Sequence, residues 1–132
     1  MIRQSVYALA FVLAALAPTS VWAHAVLLET IPADGAALEA APTQLRLTFN
    51  EPVRPIFLRL IDSNGRQRLA ADAVRAQNAT TTATVPALAQ GAYIVSWRAV
   101  SIDGHPIGGA FTFRIGAAQA AATPDMAAAT EA

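Results

Sequence analysis

The sequence has no cysteine and no lysine, and it uses histidine only twice. Without cysteine no disulfide bond can form, so an apolar core must hold the folded domain together unaided. Beyond Arg3, eight arginines stand against nine acidic residues. This near-neutral balance argues against nucleic acid as a partner, because phosphate binding needs a concentrated basic face.

Long apolar runs are also missing, apart from one near the N-terminus. Residues 1–23 combine Arg3, an apolar stretch of about 11 residues and small residues at the end, a pattern typical of a cleaved secretory signal peptide. The stretch is well short of the ~20 residues that span a bilayer. We expect cleavage after Ala23, which makes His24 the first residue of an exported protein without a membrane span. An uncleaved N-terminal anchor is the alternative.

After this segment, apolar and polar residues alternate with a period of two, which is typical of strands with one buried face. The clearest strands are QLRLTF (44–49), FLRLID (57–62), YIVSWR (93–98) and AFTFRI (110–115), with shorter ones expected at 26–30 and 80–85. Turn signals such as Ser63-Asn64-Gly65 separate them. Short strands at this spacing predict a small all-β domain, an antiparallel β-sandwich with Greek-key connections, over residues 24–116.

Two segments fall outside this pattern. RLAADAVRAQ, residues 68–77, predicts a loop or a short helix. Residues 117–132 are alanine-rich and contain no aromatic residue, which predicts a disordered tail. The aromatic residues of the predicted strands are expected in the core rather than in a binding surface: Tyr93, Trp97, Phe111 and Phe113.

The residues that carry chemistry lie in SIDGHPIGG, residues 101–109, and at the expected new N-terminus. Asp103 and His105 are two residues apart, so their side chains leave an extended backbone on the same side. An N-terminal His24 adds two nitrogen donors, its α-amine and its imidazole, and a strongly binding metal displaces the amine proton near neutral pH. This nitrogen-rich set with one carboxylate suits Cu(II), although zinc accepts similar ligands.

Plainer interpretations stay open at this point. His105 is also compatible with a solvated loop histidine, and His24 with a mobile terminus that binds nothing. The sequence has no phosphate-binding loop, and Ser101 near His105 is too slight a basis for a nucleophilic site. The residues therefore predict a binding protein rather than an enzyme.

Longer motifs resemble the CopC family of periplasmic copper-binding proteins. The resemblance rests on HAVLLETIPADGAAL, APTQLRLTFNEPV and GAYIVSWRAVSIDGHPIGGAFTFRIG, and it covers residues 24–116. It implies a cupredoxin-like or immunoglobulin-like β-barrel or sandwich of about seven strands that holds one Cu(II) ion. His24, Asp103 and His105 would be the ligands, and Glu51 a weak ligand or an outer-shell group that orients an imidazole. A solvated turn glutamate is the alternative for Glu51.

The resemblance also implies a role. Family members take part in copper resistance or uptake in the periplasm, often beside a membrane copper transporter called CopD. We expect a monomer that captures, buffers or delivers Cu(II) there. Some members carry a second, Cu(I) site in a methionine-rich loop, because soft thioethers select the reduced ion. Residues 60–73 contain no methionine here, so the chain resembles the Cu(II)-only form.

Two functions of other classes compete with copper carriage. A histidine-brace copper monooxygenase also uses an N-terminal histidine, but it needs an open copper position, which Asp103 would occupy, and a broad surface for a polymer. The second competing function is adhesion or assembly by a β-sandwich that binds no metal. Under that hypothesis, replacing His24 or His105 causes no loss of function.

Overall fold

The computed structural model describes residues 24–116, so the predicted signal peptide and the predicted tail lie outside the described residues. The described residues form eight strands and no helix, and thus no helix that could cross a membrane. The strands are β1 (Leu27–Ile31), β2 (Ala36–Leu38), β3 (Gln44–Phe49), β4 (Val53–Ile61), β5 (Val74–Gln77), β6 (Thr80–Thr84), β7 (Gly91–Ser101) and β8 (Pro106–Ile115).

The strands form two four-stranded sheets, one in the order β1-β3-β6-β5 and the other in the order β2-β8-β7-β4. Strands β5 and β6 form one hairpin and β7 and β8 another, while the remaining connections pass from one sheet to the other. The prediction of an all-β sandwich is confirmed. Its strands are antiparallel throughout except for β2, which runs parallel to β8.

The core lies between the inward faces of the two sheets and follows the predicted alternation. In β7, each odd-numbered residue from Gly91 to Ser101 is buried and faces inward. The aromatic residues pack there as expected, with Phe49 edge-on to Trp97 at 5.2 Å between ring centroids and Tyr93 stacked on Phe113 at 5.4 Å. Such pairs add about 0.5–1.5 kcal/mol to the free energy gained by burial, so the core can stabilise the sandwich without disulfide bonds.

The structure corrects the predicted strand list in two places. Val74–Gln77 is a strand rather than a loop or short helix, because it forms an antiparallel hairpin with β6. It is an edge strand with three exposed residues, so its sequence has no clear alternation. Ala36–Leu38 was not predicted as a strand, since three residues are too few for a pattern, and it supplies both the eighth strand and the parallel pairing.

The strand register brings three segments to one end of the sandwich, which we call the site end. Leu27 pairs with Phe49, so residues 24–26 lie beside residues 50–52, which connect β3 to β4. Val53 pairs with Ser101, which places the β7–β8 turn, residues 102–105, beside the same connection. Segments that are distant in sequence therefore meet at the site end.

Candidate metal centre

The three predicted ligand residues meet at the site end. His24, Asp103 and His105 each offer a ligand atom, and these atoms lie within 4.8 Å of one another. Oδ2 of Asp103 lies 3.3 Å from Nδ1 of His24 and 3.0 Å from Nδ1 of His105. The two imidazole rings meet edge to face, with centroids 4.9 Å apart. One carboxylate oxygen thus faces two imidazole nitrogens, an arrangement that can close around one metal ion.

The short arm that carries His24 is fastened to the domain. The backbone N–H of Val26 donates to Oδ1 of Asn50 at 2.7 Å, and the backbone N–H of Asn50 donates to the carbonyl of Val26 at 3.0 Å. The side chain of Ala25 is buried in the core, whereas the side chain of the preceding residue, His24, is exposed. These contacts hold the chain up to the residue next to the histidine.

Asp103 and His105 lie in a tight turn, whereas the sequence suggested an extended segment. The N–H of Gly104 donates to the carbonyl of Ser101, and the N–H of Ser101 donates to the carbonyl of His105, both at 3.0 Å. Gly104 has φ of +84°, which glycine adopts without steric cost. The turn still places the two side chains on the same side, as predicted, with a contact of 3.0 Å between them.

The carboxylate of Asp103 is held in its charged form. The hydroxyl of Ser101 donates to Oδ1 of Asp103, and this bond is the largest cause of a pKa that lies well below the usual aspartate value. A hydrogen bond from the His105 side chain lowers the pKa further, against a smaller opposing effect of burial. The site therefore keeps a negative charge at neutral pH, which favours a cation.

Glu51 lies in the connection between β3 and β4 at the site end, but it is not one of the residues whose ligand atoms come within 4.8 Å of one another. Its Oε1 atom is buried and has no hydrogen-bond partner among the described residues. A buried, unpaired carboxylate oxygen is costly, so this position favours a donor or a cation nearby.

Sequence reasoning missed two residues of the site. The sequence alone suggests only a weak nucleophilic role for Ser101, although its position in the inward row of β7 indicates a buried hydroxyl that needs a partner. Nothing in the sequence alone indicates a role for Asn50. No local pattern distinguishes an asparagine that binds a neighbouring strand from one that caps an ordinary turn.

Comparison with known proteins identifies the family. Residues 27–116 match the model of the CopC domain. The chain is 35% identical over 114 residues to Protein YobA of Escherichia coli (strain K12), covering 83% of this chain and 92% of YobA. It is 31% identical over 114 residues to Copper resistance protein C of Xanthomonas campestris pv. juglandis, covering 79% of this chain and 89% of that protein. It is also 34% identical over 107 residues to the Copper transport protein CutJ of Bacillus subtilis (strain 168), covering 76% of this chain but only 20% of CutJ.

Solved structures agree with the sequence matches. The crystal structure of CopC from Methylosinus trichosporium OB3b superposes with a TM-score of 0.64 at 28% identity, covering 70% of this chain and 93% of that protein. PcoC, a methionine-rich copper resistance protein from Escherichia coli, superposes with a TM-score of 0.59 at 30% identity, covering 71% of this chain and 100% of PcoC. Family model, relatives and fold agree, and the chain belongs to the CopC family.

Proposed function

We propose that this chain binds one Cu(II) ion through His24, Asp103 and His105 and acts as a periplasmic copper carrier or buffer. The observation that carries the proposal is the position of Asp103 Oδ2, which faces Nδ1 of both imidazoles at 3.3 and 3.0 Å. A metal ion at this position can bind both Nδ1 atoms and the carboxylate oxygen at once.

The identity of the facing nitrogen supports a chelate at His24. Once signal cleavage frees the α-amine, that amine and Nδ1 of the same residue can close a six-membered ring on one metal ion. Nδ1, the ring nitrogen that such a chelate uses, is also the atom that faces Asp103, which supports a shared metal position. The resulting set of three nitrogens and one oxygen matches the tetragonal preference of Cu(II), which also heads the affinity order of divalent metals.

The exposure of the site suits a protein that exchanges its metal. About half of each imidazole side chain is exposed, 54% for His24 and 47% for His105. A partner can therefore approach the metal directly. We propose a CopD-like membrane copper transporter as that partner, and export through the signal peptide, residues 1–23, as the route to the compartment where they meet.

Copper as the metal is supported by the relatives, two of which are named for copper resistance and copper transport. The oxidation state is argued from this chain's own residues. PcoC is described as methionine-rich, whereas residues 60–73 of this chain contain no methionine, and the one methionine beyond Met1 is Met126. Without thioethers the domain lacks the donors that select Cu(I).

The direct test is a Cu(II) titration of the processed chain, which begins at His24. Trp97 is the one tryptophan that remains after residue 22, so its fluorescence can follow metal binding. We expect one ion per chain, and we expect His105→Ala and Asp103→Ala each to weaken binding at least about tenfold. Asp72→Ala, at an exposed loop aspartate outside the cluster, is the matched control. Equal affinity in all four proteins would reject the site.

The same protein can be tested for the competing enzymatic function. We propose binding without catalysis, because Asp103 Oδ2 occupies the position between the imidazoles that a histidine-brace oxygenase keeps open. Oxygen consumption by the copper-loaded protein with ascorbate and a polysaccharide should not exceed that of free copper. Turnover above this background would instead support an oxygenase.

A further inference from the structure

The inward row of β7 ends on a polar residue. Tyr93, Val95, Trp97 and Ala99 fill the buried face with apolar side chains, but the next position in the row is Ser101, which is only 4% exposed. A buried hydroxyl destabilises a fold unless it is hydrogen-bonded, and alanine would fill this position equally well as part of the core. The hydroxyl therefore calls for an explanation outside the packing of the sandwich.

The contacts of Ser101 lead to the metal centre. Its Oγ atom donates to Oδ1 of Asp103 and also lies 3.1 Å from the carbonyl oxygen of His105. A hydroxyl has one proton, and the charged carboxylate is the stronger acceptor of the two. The backbone of Ser101 closes the turn through its hydrogen bonds with His105 and Gly104, so the donor itself is fixed in place.

We propose that Ser101 is a positioning residue for the metal centre, acting through Asp103. Its hydroxyl donates to Oδ1, which also accepts the more distant backbone N–H of His105 at 3.4 Å, and Oδ2 is the oxygen that faces the two imidazoles. This inference rests on the proposed function, since it assigns how the ligand set is oriented before metal arrives. Orientation in the metal-free protein strengthens binding, because less conformational freedom is lost when the ion binds.

A selectivity follows from the same geometry. With Oδ1 already accepting a hydrogen bond from Ser101, Oδ2 is the oxygen of Asp103 that is best placed to bind a metal. Ca²⁺ favours bidentate carboxylates and six to eight oxygen ligands, so a one-oxygen aspartate between two nitrogens discriminates against it. A metal that accepts few, nitrogen-rich ligands is favoured instead.

Ser101→Ala tests the role of the hydroxyl with little change in shape. In the processed chain we expect it to weaken Cu(II) binding at least about tenfold, as for other groups that support a metal ligand, and to change the Cu(II) EPR spectrum. The metal-free variant should stay folded, with an unfolding midpoint somewhat below that of the wild type, because a hydrogen bond to a charged carboxylate is lost. Ser96→Ala, on the outward face of the same strand, is the matched control and should change neither affinity nor spectrum. Ser101→Thr keeps a hydroxyl and should restore most of the affinity.

A double substitution separates positioning from a general structural effect. If Ser101 acts through Asp103, Ser101→Ala should produce no further loss of Cu(II) affinity in the Asp103→Ala background. Equal additional losses in both backgrounds would overturn the inference, as would wild-type affinity and an unchanged EPR spectrum in Ser101→Ala.

The orientation of the Asp103 side chain can also be tested without copper, so that the result does not depend on how the variants bind metal. In the metal-free wild type, NMR couplings of the Asp103 β-protons should report a single side-chain rotamer, and Ser101→Ala should show averaging. Averaging already in the wild type would overturn the inference. If the wild type binds no Cu(II) tightly, the proposed function fails and the inference fails with it. If the wild type binds and Ser101→Ala binds equally, the inference alone fails.

Discussion

The middle of the sandwich and its site end are built in opposite ways. In the middle, Leu60 and Val95 are fully buried and packed between two sheets. At the site end, His24 and His105 are half exposed and are held by hydrogen bonds, a tight turn and one carboxylate. The difference indicates that stability and metal binding depend on separate residues, so each can be changed without the other.

The largest expected effect on stability comes from the middle. Leu60→Ala removes a fully buried side chain and leaves a cavity, which should lower the free energy of unfolding by about 2–5 kcal/mol. Urea denaturation of the metal-free protein measures this loss. The Cu(II) affinity of the molecules that remain folded should be unchanged, because Leu60 lies outside the cluster of candidate ligands.

The control for Leu60→Ala is Ile94→Ala, which removes an apolar side chain from the same sheet at a position that is 48% exposed. It should lower the free energy of unfolding by less than about 1 kcal/mol. A parallel loss of copper affinity in Leu60→Ala would show that the middle of the sandwich and the site end are coupled.

The next effect concerns the site end alone. Asn50→Ala removes the acceptor that binds the Val26 N–H, so the arm carrying His24 should lose one restraint. One hydrogen bond contributes about 0.5–1.5 kcal/mol, which corresponds to a Cu(II) affinity weaker by a factor of about 2 to 13. Competition titration against a copper chelator measures the change. Asn64→Ala, in the turn at the opposite end of β4, is the matched control, and an equal loss there would contradict the assignment.

The smallest expected effect lies at that opposite end and depends on pH. The backbone N–H groups of Arg66 and Asn64 donate to Asp62 at 2.9 Å each, and the bond from Arg66 is the main reason that the pKa of Asp62 lies below its usual value. A carboxyl whose pKa is lowered by folding stabilises the protein above its unfolded pKa, near 3.9, and this contribution is lost as the pH falls through the folded pKa. Wild type should therefore be more stable than Asp62→Ala at pH 7 and lose part of this advantage below about pH 4.

Urea denaturation of the metal-free proteins at pH 7, 4 and 3 tests the effect at Asp62. The difference in the free energy of unfolding between wild type and Asp62→Ala reports on Asp62 alone. Asp103 is present in both proteins, so its own pH dependence cancels. If this difference in the free energy of unfolding does not vary with pH, the charge of Asp62 does not contribute to stability.

The sequence predicted the middle of the molecule better than its edges. Alternation marked the long strands, because each has one face in the core, and the inward positions of β3, of β7 and of residues 110–115 in β8 are buried as expected. It failed for Ala36–Leu38 and Val74–Gln77, which are short strands at the edges of their sheets with no fully buried residue. A period of two cannot be recognised where no face is fully buried.

The site was predictable in its residue types and less so in its geometry. His24, Asp103 and His105 are chemically distinctive, and the structure brings their ligand atoms within 4.8 Å. Their metal-binding role stays a prediction. The supporting groups were not predictable, because Asn50 and Ser101 act through hydrogen bonds that exist only once the register of β1 with β3 and the turn after β7 are set.

We propose that signal cleavage creates part of the metal centre by freeing the α-amine of His24. The most direct test is a Cu(II) titration with EPR on the processed chain beside the same chain with one methionine ahead of His24. We expect a single tight, nitrogen-rich site in the processed chain, and we expect the extension to weaken it more than about 100-fold, since a ligand is lost rather than merely disturbed. Equal affinity and identical spectra in the two proteins would contradict it.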